Sequence, residues 1–270
     1  MVSSAISFMK LLPVIRTWRN RRQYAHFLSD KGLHSHYGVF NSFAHAREKL
    51  PSSRGFDQRE LANTYANIKM HRLYPYDYPV IYWLSRAFFE GSTSVFDIGG
   101  SVGVHYHAYR RILAYPVDVK WQVSELPAIV QVGRDIAARL GISELSFTDS
   151  LQMKQVQADV WISSGALQYI EDARPRRLLA DCLKRPAHII LNKIPAYDGE
   201  EFIVAQNAGR GAYVPSIVYN RSRLINEIES MNYRLVDSWE VPNRNFYLPS
   251  HPEKTFDAFS GMYFKKATLL

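Results

Sequence analysis

The repeated alternation of strand and helix patterns after Thr93 is the feature that most restricts the fold of this chain. Strands are predicted at 94–98, 117–123, 144–147, 158–163 and 187–192, and helices at 104–113, 127–140, 175–184 and 221–231. Two late β-runs, 233–241 and 259–265, are separated only by a loop and therefore suit an antiparallel pair. The pattern predicts an α/β fold with a Rossmann-like, seven-stranded, mostly parallel sheet and helices on both faces.

The first predicted strand runs into a loop that contains three glycines. Val95-Phe96-Asp97-Ile98 is followed by Gly99-Gly100-Ser101-Val102-Gly103, and a helix pattern begins at Val104. Glycine lets a ligand approach the main chain closely, and the N–H groups at a helix start favour electron-rich ligand atoms. We interpret the loop as a cofactor site, although an ordinary strand-to-helix turn is the alternative. A dinucleotide fingerprint starting at Gly99 needs glycines at positions 101 and 104, so a nicotinamide cofactor is disfavoured.

Polar residues also end the next three predicted strands. Glu125 follows the second strand, where a carboxylate can accept hydrogen bonds from both ribose hydroxyls; its alternative role is to cap the helix that starts at Pro127. Asp149 and Ser150 end the third strand and suit the adenine amino group, or form a simple turn. Ser164 lies at the polar end of the fourth strand. These residues are expected at one edge of the sheet.

These motifs carry a family resemblance. Asp97-Ile-Gly-Gly-Ser-Val-Gly resembles the first motif of class I S-adenosylmethionine-dependent methyltransferases, with serine in place of the middle glycine. With Glu-Leu-Pro at 125–127 and Ser-Gly-Ala-Leu-Gln-Tyr-Ile-Glu-Asp at 164–172, the chain is similar to small-molecule O-methyltransferases. It resembles more closely a group of bacterial methyltransferases encoded among polysaccharide and O-antigen biosynthesis genes, over most of residues 35–265.

The resemblance implies S-adenosylmethionine as the cofactor and transfer of its methyl group to an oxygen atom of a small-molecule or glycan acceptor, such as a sugar precursor. The implied cofactor-binding residues are Asp97, Gly99, Gly100, Ser101, Gly103, Glu125, Leu126, Asp149, Ser150 and Ser164. Asp97 and the glycine loop would hold the amino-acid part of the donor, and Glu125 its ribose.

The expected general base is absent. Small-molecule O-methyltransferases carry a histidine where this chain has Gln168, and an amide cannot remove a proton from a hydroxyl. Candidate catalytic residues are therefore Gln168, Tyr169 and His105, with His107 and residues 193–201 as further sources of a base. At most one of the two histidines is expected to face the site. Alternatively, the acceptor ionises unaided or positioning alone is sufficient.

Residues 1–90 are predicted to form an N-terminal helical extension, and residues 91–270 the S-adenosylmethionine-binding domain. Residues 1–28 contain five basic and no acidic residues and so supply +5 of the chain's net charge of +8. Because the rest is only weakly basic, nucleic acid is not expected as a partner. The basic, amphipathic start suits peripheral contact with a membrane, docking on the domain, or a mitochondrial presequence in a eukaryote. Ser42 is predicted to cap a short helix.

The single cysteine excludes an intrachain disulfide and fits a reduced, cytoplasmic setting, which extends to the inner face of the membrane if residues 1–28 bind there. No metal site is predicted, since His34-x-His36 has no further ligand nearby. Residues 194–220 lack a clear period and are interpreted as a loop that recognises the acceptor. Rival functions are a nicotinamide-dependent oxidoreductase, a nucleic-acid methyltransferase, and a non-catalytic membrane-associated partner that keeps the fold.

Overall fold

The computed structural model describes residues 20–53, 55–149 and 151–267. The helices are α1 (residues 20–28), α2 (Phe43–Lys49), α3 (Arg59–Ile68), α4 (Tyr78–Phe89), α5 (Val104–Tyr109), α6 (Pro127–Arg139), α7 (Pro175–Asp181) and α8 (Arg221–Glu229). The strands are β1 (His36–Phe40), β2 (Ser94–Ile98), β3 (Lys120–Ser124), β4 (Leu145–Thr148), β5 (Val160–Ser164), β6 (His188–Ile194), β7 (Ala196–Tyr197), β8 (Phe202–Gly209), β9 (Ala212–Asn220), β10 (Tyr233–Val241) and β11 (Phe259–Lys266).

The main sheet has seven strands in the order β10-β11-β6-β5-β2-β3-β4. The five strands from β6 to β4 in that order are parallel to their neighbours. The last two strands of the chain form an antiparallel hairpin, and β11 runs antiparallel to β6 at one side of the sheet. The fold class predicted from the sequence is confirmed.

Helices cover both faces of this sheet, which explains why its central strands are apolar at successive positions. On one face, Phe96 and Ile189 pack with buried residues of α7 and α8. On the other face, Val95 and Ile190 pack with buried residues of α4, α5 and α6. Side chains that alternate along a strand thus enter two separate cores, and the strand ends are left as the places where polar residues can meet a ligand.

A second sheet has the strand order β1-β8-β9-β7, so the interpretation of residues 194–220 as a loop is wrong. Strands β8 and β9 form an antiparallel hairpin whose turn, residues 209–211, has positive φ angles of 86°, 52° and 72°. Pro215 interrupts the apolar pattern of β9, and it pairs in register with Ala205. Proline within an apolar run is evidence against a strand, and this explains the error.

The segment predicted as an N-terminal helical extension also contains a strand, β1, which joins this second sheet. Strand β1 pairs antiparallel with β8, and the Asn207 side chain donates a hydrogen bond to the carbonyl of Phe27 over 2.6 Å. Ser42 accepts a hydrogen bond from the main-chain N–H of His45 at 3.0 Å, which confirms it as the N-cap of α2. The predictions for residues 1–19 lie outside the described residues. Within the described part of the chain, no helix is long and apolar enough to cross a membrane.

Candidate functional site

The glycine loop lies where the strand order of the main sheet reverses. From β2 the chain moves outward through β3 to β4, whereas β5 returns to the other side of β2 and leads to β6. Open α/β sheets bind ligands in the crevice at the carboxyl ends of such neighbouring strands. Residues 99–103 connect β2 to α5 at this point. The topology therefore gives the loop a place at the ligand crevice.

The backbone of the loop requires a residue without a side chain at Gly99. Its φ is +71°, and an added Cβ would lie 2.1 Å from the Cβ of Ala166. Ser101, which stands where the resemblance predicts glycine, also has a positive φ, at +55°. A non-glycine residue in this conformation costs on the order of 1 kcal/mol or more. The hydroxyl of Ser101 is buried and has no hydrogen-bond partner, so it is free to bind a ligand atom.

Glu125 binds the glycine loop directly. Its carboxylate accepts the main-chain N–H of Ser101 at 3.1 Å and that of Leu126 at 2.9 Å. Burial raises the pKa of Glu125 to about 7, and the carboxylates of Asp97 and Asp57 act in the same direction. A carboxylate has about four lone-pair positions, so two acceptor positions remain for hydroxyl donors. The predicted proximity of the glycine loop and Glu125 is present in the structure.

Asp97 is fully buried beneath the loop. Its carboxylate contacts Nδ1 of His105 at 2.9 and 3.0 Å and accepts a hydrogen bond from Nε1 of Trp121 at 3.3 Å. A Cβ at Gly100 would lie 2.3 Å from an Asp97 oxygen, so glycine is needed there as well. The structure thus pairs Asp97 with His105, two residues to which the sequence analysis gave separate roles.

The other predicted cofactor residues surround the same strand ends. Ser164 is buried, and its hydroxyl accepts a hydrogen bond from the Asn192 side chain at 3.1 Å. Leu126 precedes α6 and is 40% exposed. Asp149 is exposed just after β4, and Ser150 lies outside the described residues. The assignment of these residues to a cofactor stays a prediction.

The candidate catalytic residues differ in their chemistry. Gln168 is buried, with its amide nitrogen 3.5 Å from the carbonyl oxygen of Lys193 and its amide oxygen without a partner. Tyr169 donates a hydrogen bond to the Gln206 side chain at 2.7 Å, and burial raises its pKa to about 12. It is therefore a neutral phenol at pH 7. Because a carboxylate only accepts, the proton of a neutral His105 lies on Nδ1, which leaves Nε2 as an acceptor.

The other histidine of α5 has a different environment. His107 is buried, burial lowers its pKa to about 4, and its Nε2 has no hydrogen-bond partner. Its ring lies edge-on to that of Tyr106 at 5.2 Å, with an interplanar angle of 86°. Both histidines of α5 are therefore buried, and of these two His105 is the one that contacts a carboxylate of a described residue. The expectation that at most one of them faces the ligand stays a prediction.

A group of three cationic side chains lies beside this site, and sequence reasoning missed two of them, Lys69 and Arg244. Lys193, from the end of β6, lies with Nζ 5.0 Å from the ring centroid of Tyr76. Lys69 lies with Nζ 4.0 Å from the ring centroid of Tyr65. The Arg244 guanidinium is close enough to act on the pKa values of Lys69, Lys193 and Tyr76. These residues come from three distant segments, so no local pattern marks them.

Neither protein-family models nor curated proteins give a match to this sequence. Among solved structures, the fold is similar to 1,6-didemethyltoxoflavin-N1-methyltransferase of Burkholderia thailandensis, with a TM-score of 0.48 and 14% identity, over 81% of this chain and 93% of that chain. A methyltransferase of Clostridium acetobutylicum gives a TM-score of 0.49 and 9% identity, over 77% and 98% of the two chains. The N-terminal domain of EvdMO1, solved with S-adenosylhomocysteine and D-fucose, gives 0.49 and 13%, over 81% and 100%. At these identities the similarity concerns the fold.

The structure defines an α/β protein whose main sheet reverses its strand order beside the glycine loop, the place where open α/β sheets bind ligands. The strand ends there combine the glycine loop, a neighbouring carboxylate with free acceptor positions, and a basic group of side chains.

Proposed function

We propose that this protein is an S-adenosylmethionine-dependent methyltransferase that acts on a small polar acceptor, a sugar or glycan precursor of surface polysaccharide synthesis, by transfer to oxygen. The observation that carries the proposal is the hydrogen bond from the main chain of Ser101 to Glu125. It joins a glycine loop at the strand reversal to an acidic residue at the end of the next strand, as a donor with both an amino-acid part and a ribose requires.

The residues present fit this cofactor. The glycines of the loop permit its tight turn, since a Cβ at Gly99 or Gly100 would collide with Ala166 or Asp97, and the unpartnered hydroxyl of Ser101 supplies a polar group for a ligand. The unused acceptor positions of Glu125 suit the ribose hydroxyls, and Asp149 suits the adenine amino group. When bound, the cofactor supplies an electrophilic methyl group on a sulfonium. Leu126, Ser164 and the loop glycines complete the proposed binding set.

The chain's own residues would position the acceptor and accept its proton. Gln168 and Tyr169 are both neutral at pH 7, so we assign them to orientation of the acceptor hydroxyl. His105 is the candidate base, because Asp97 holds its Nδ1 proton and leaves Nε2 able to accept another. The absence of the expected histidine at position 168 is thereby compatible with turnover.

Calorimetry with S-adenosylhomocysteine tests the cofactor assignment. The full-length protein is expected to bind it with micromolar or better affinity, and Glu125→Gln to weaken that binding about tenfold or more, since a charged acceptor is replaced by a neutral amide. Glu48→Gln, at an exposed position in α2, is the matched control and is expected to bind normally. No heat with the wild type would remove the basis of the proposal.

Radiolabelled methyl transfer tests catalysis separately. Incubation with S-adenosylmethionine and a glycan lysate is expected to label an acceptor, and His105→Ala to reduce the labelling rate by about 10²-fold or more. Cofactor binding without any transfer would instead favour the rival function, a non-catalytic partner that keeps the fold.

A further inference from the structure

The basic group formed by Lys69, Lys193 and Arg244 lies beside the strand ends that carry the proposed cofactor residues. Lys193 is at the carboxyl end of β6, next to β5, and its carbonyl is 3.5 Å from the side-chain nitrogen of Gln168. Lys69 begins the short turn Lys69–His71, which packs against α5 directly after the glycine loop. Arg244 follows β10 and reaches the same region. The three charges thus come together where the proposed acceptor would lie.

These charges have no carboxylate partner of their own. Within residues 20–53, 55–149 and 151–267, none of the three side chains forms a salt bridge. By contrast, Arg174 in the same structure is paired with both Glu201 and Glu227, at 2.8 and 2.9 Å. Removing a cation from water without a partner costs free energy that a folded protein does not ordinarily bear.

The acids that face the basic group are engaged elsewhere. Asp77 accepts hydrogen bonds from the main chain of Tyr74 at 2.9 Å and from the hydroxyl of Tyr109 at 3.1 Å. Asp97 is occupied by His105 and Trp121. Both acids act on Lys193 only at longer range, and their effect is smaller than that of burial.

The backbone conformation of Lys193 is strained. Its φ is +54°, a left-handed conformation that a residue with a side chain adopts at a cost of about 1–3 kcal/mol. Burial, helped by the neighbouring Lys69 and Arg244, lowers the pKa of Lys193 to about 7, and burial lowers that of Lys69 to about 8. Strained residues with perturbed pKa values gather at functional sites, so this group of cations is a candidate binding site.

We propose that the acceptor carries a compact anionic group, a phosphate or a carboxylate, and that Lys69, Lys193 and Arg244 bind it in the crevice. This inference rests on the proposed function and narrows the acceptor class to phosphorylated, nucleotide-linked or acidic sugars. Arginine offers planar paired donors and lysine a point charge, and both suit either anion. The hydroxyls of Tyr65 and Tyr76, next to Lys69 and Lys193, add neutral donors.

Binding of the anion is coupled to a proton. Lys193 faces Lys69, Arg244, Asp77 and Asp97, and an added anion would raise its pKa from about 7. At pH 8 the free amine is mostly neutral, so the complex takes up close to one proton from solution. Titrations in buffers with different ionisation enthalpies measure this uptake.

The experiment uses the full-length protein loaded with S-adenosylhomocysteine and titrated with inorganic phosphate, glucuronate or neutral glucose. Phosphate and glucuronate are expected to bind at least tenfold more tightly than glucose. Lys193→Gln and Arg244→Gln are each expected to weaken anion binding about tenfold to a hundredfold, whereas Lys154→Gln, at an exposed position, is the control and leaves it unchanged. The two anions distinguish a phosphate acceptor from an acidic sugar.

Two results would overturn the inference: equal binding of glucose and the anions, or unchanged anion affinity in both Lys193→Gln and Arg244→Gln. Because S-adenosylhomocysteine binding is measured first, its loss would count against the proposed function and not against the anion site. Thermal melts guard against misfolding, and Lys193→Gln is expected to melt at or above the wild-type temperature, since a partly buried cation without a carboxylate partner is removed.

Discussion

The pH dependence of cofactor binding is the most direct consequence of the environment of Glu125. Burial raises the pKa of its carboxyl to about 7 in the free protein. Hydroxyl donors favour the ionised form, so binding lowers this pKa and releases a proton. At pH 6 about one carboxyl in eleven is ionised, and at pH 8 about ten in eleven. The affinity for S-adenosylhomocysteine is therefore expected to rise about tenfold between pH 6 and pH 8.

Calorimetry at pH 6, 7 and 8 in two buffers measures both the affinity and the released proton. Glu125→Gln removes the titrating group, so its profile is expected to be flat and its affinity at pH 8 lower than that of the wild type. A flat wild-type profile would refute the reasoning. The reasoning would also be refuted if the affinity of Glu125→Gln still rose with pH, because a group other than Glu125 would then cause the pH dependence.

The Glu125 carboxyl also makes folding stability depend on pH, and this dependence is opposite in direction to that of most carboxylates. Its pKa in the folded chain, about 7, is above the reference value of 4.5, so ionisation opposes folding. The contribution of Glu125 to folding stability is greatest at a pH below the pKa of this carboxyl in the unfolded chain, and it is lost as the pH rises through 7. Because Glu125 is partly exposed, solvent screening makes the free energy that corresponds to its raised pKa smaller than the full value. Glu125→Gln is therefore expected to stabilise the protein at pH 8 by about 1–2 kcal/mol. Denaturant unfolding at pH 4 and pH 8 measures the difference.

Three further predictions concern the fold around the site. Gly99→Ala is expected to lower the free energy of unfolding by about 2–4 kcal/mol, because φ is +71° and the new Cβ would lie 2.1 Å from the Cβ of Ala166. Gly141→Ala, with φ +65° and open space around the new Cβ, is the control and is expected to lower it by only about 1 kcal/mol. Equal losses in urea unfolding would contradict the steric explanation. Arg174→Met leaves the partly buried Glu201 and Glu227 with only the exposed Arg223 as a cationic partner and is expected to destabilise the protein by about 1–2 kcal/mol in urea unfolding, whereas Arg177→Met, which breaks an exposed ion pair with Asp172, costs about 0.5 kcal/mol or less; equal costs would contradict the reasoning. Ser42→Ala removes the cap of α2 and costs about 1 kcal/mol in thermal unfolding, while Ser42→Asp retains stability; loss in both variants would assign the effect to packing.

The main sheet and the position of the glycine loop beside Glu125 were predictable because their signals in the sequence are local. Each strand carries its own apolar run, and the chain turns at glycine, so the strand at 94–98 and the loop at 99–103 are found in the sequence as they are in the structure. In a parallel sheet all carboxyl ends lie at one edge, which is why Glu125 was expected near the loop without any knowledge of the intervening helix.

The second sheet and the proposed acceptor side of the site depend on contacts between distant segments. The pairing of β1 with β8 joins residues about 170 positions apart, and no periodicity in either segment records it. The pairing of Asp97 with His105 depends on the direction of each side chain, which spacing alone does not give.

By itself, the sequence determined the α/β fold, the place of the glycine loop and the carboxylate beside it, because strand alternation and turn chemistry act over a few residues. Only the tertiary structure brought Lys69, Lys193 and Arg244 together and partly buried them without carboxylate partners among the described residues. Electrostatic interactions depend on distance through space and on burial, and neither is encoded in the local order of residues.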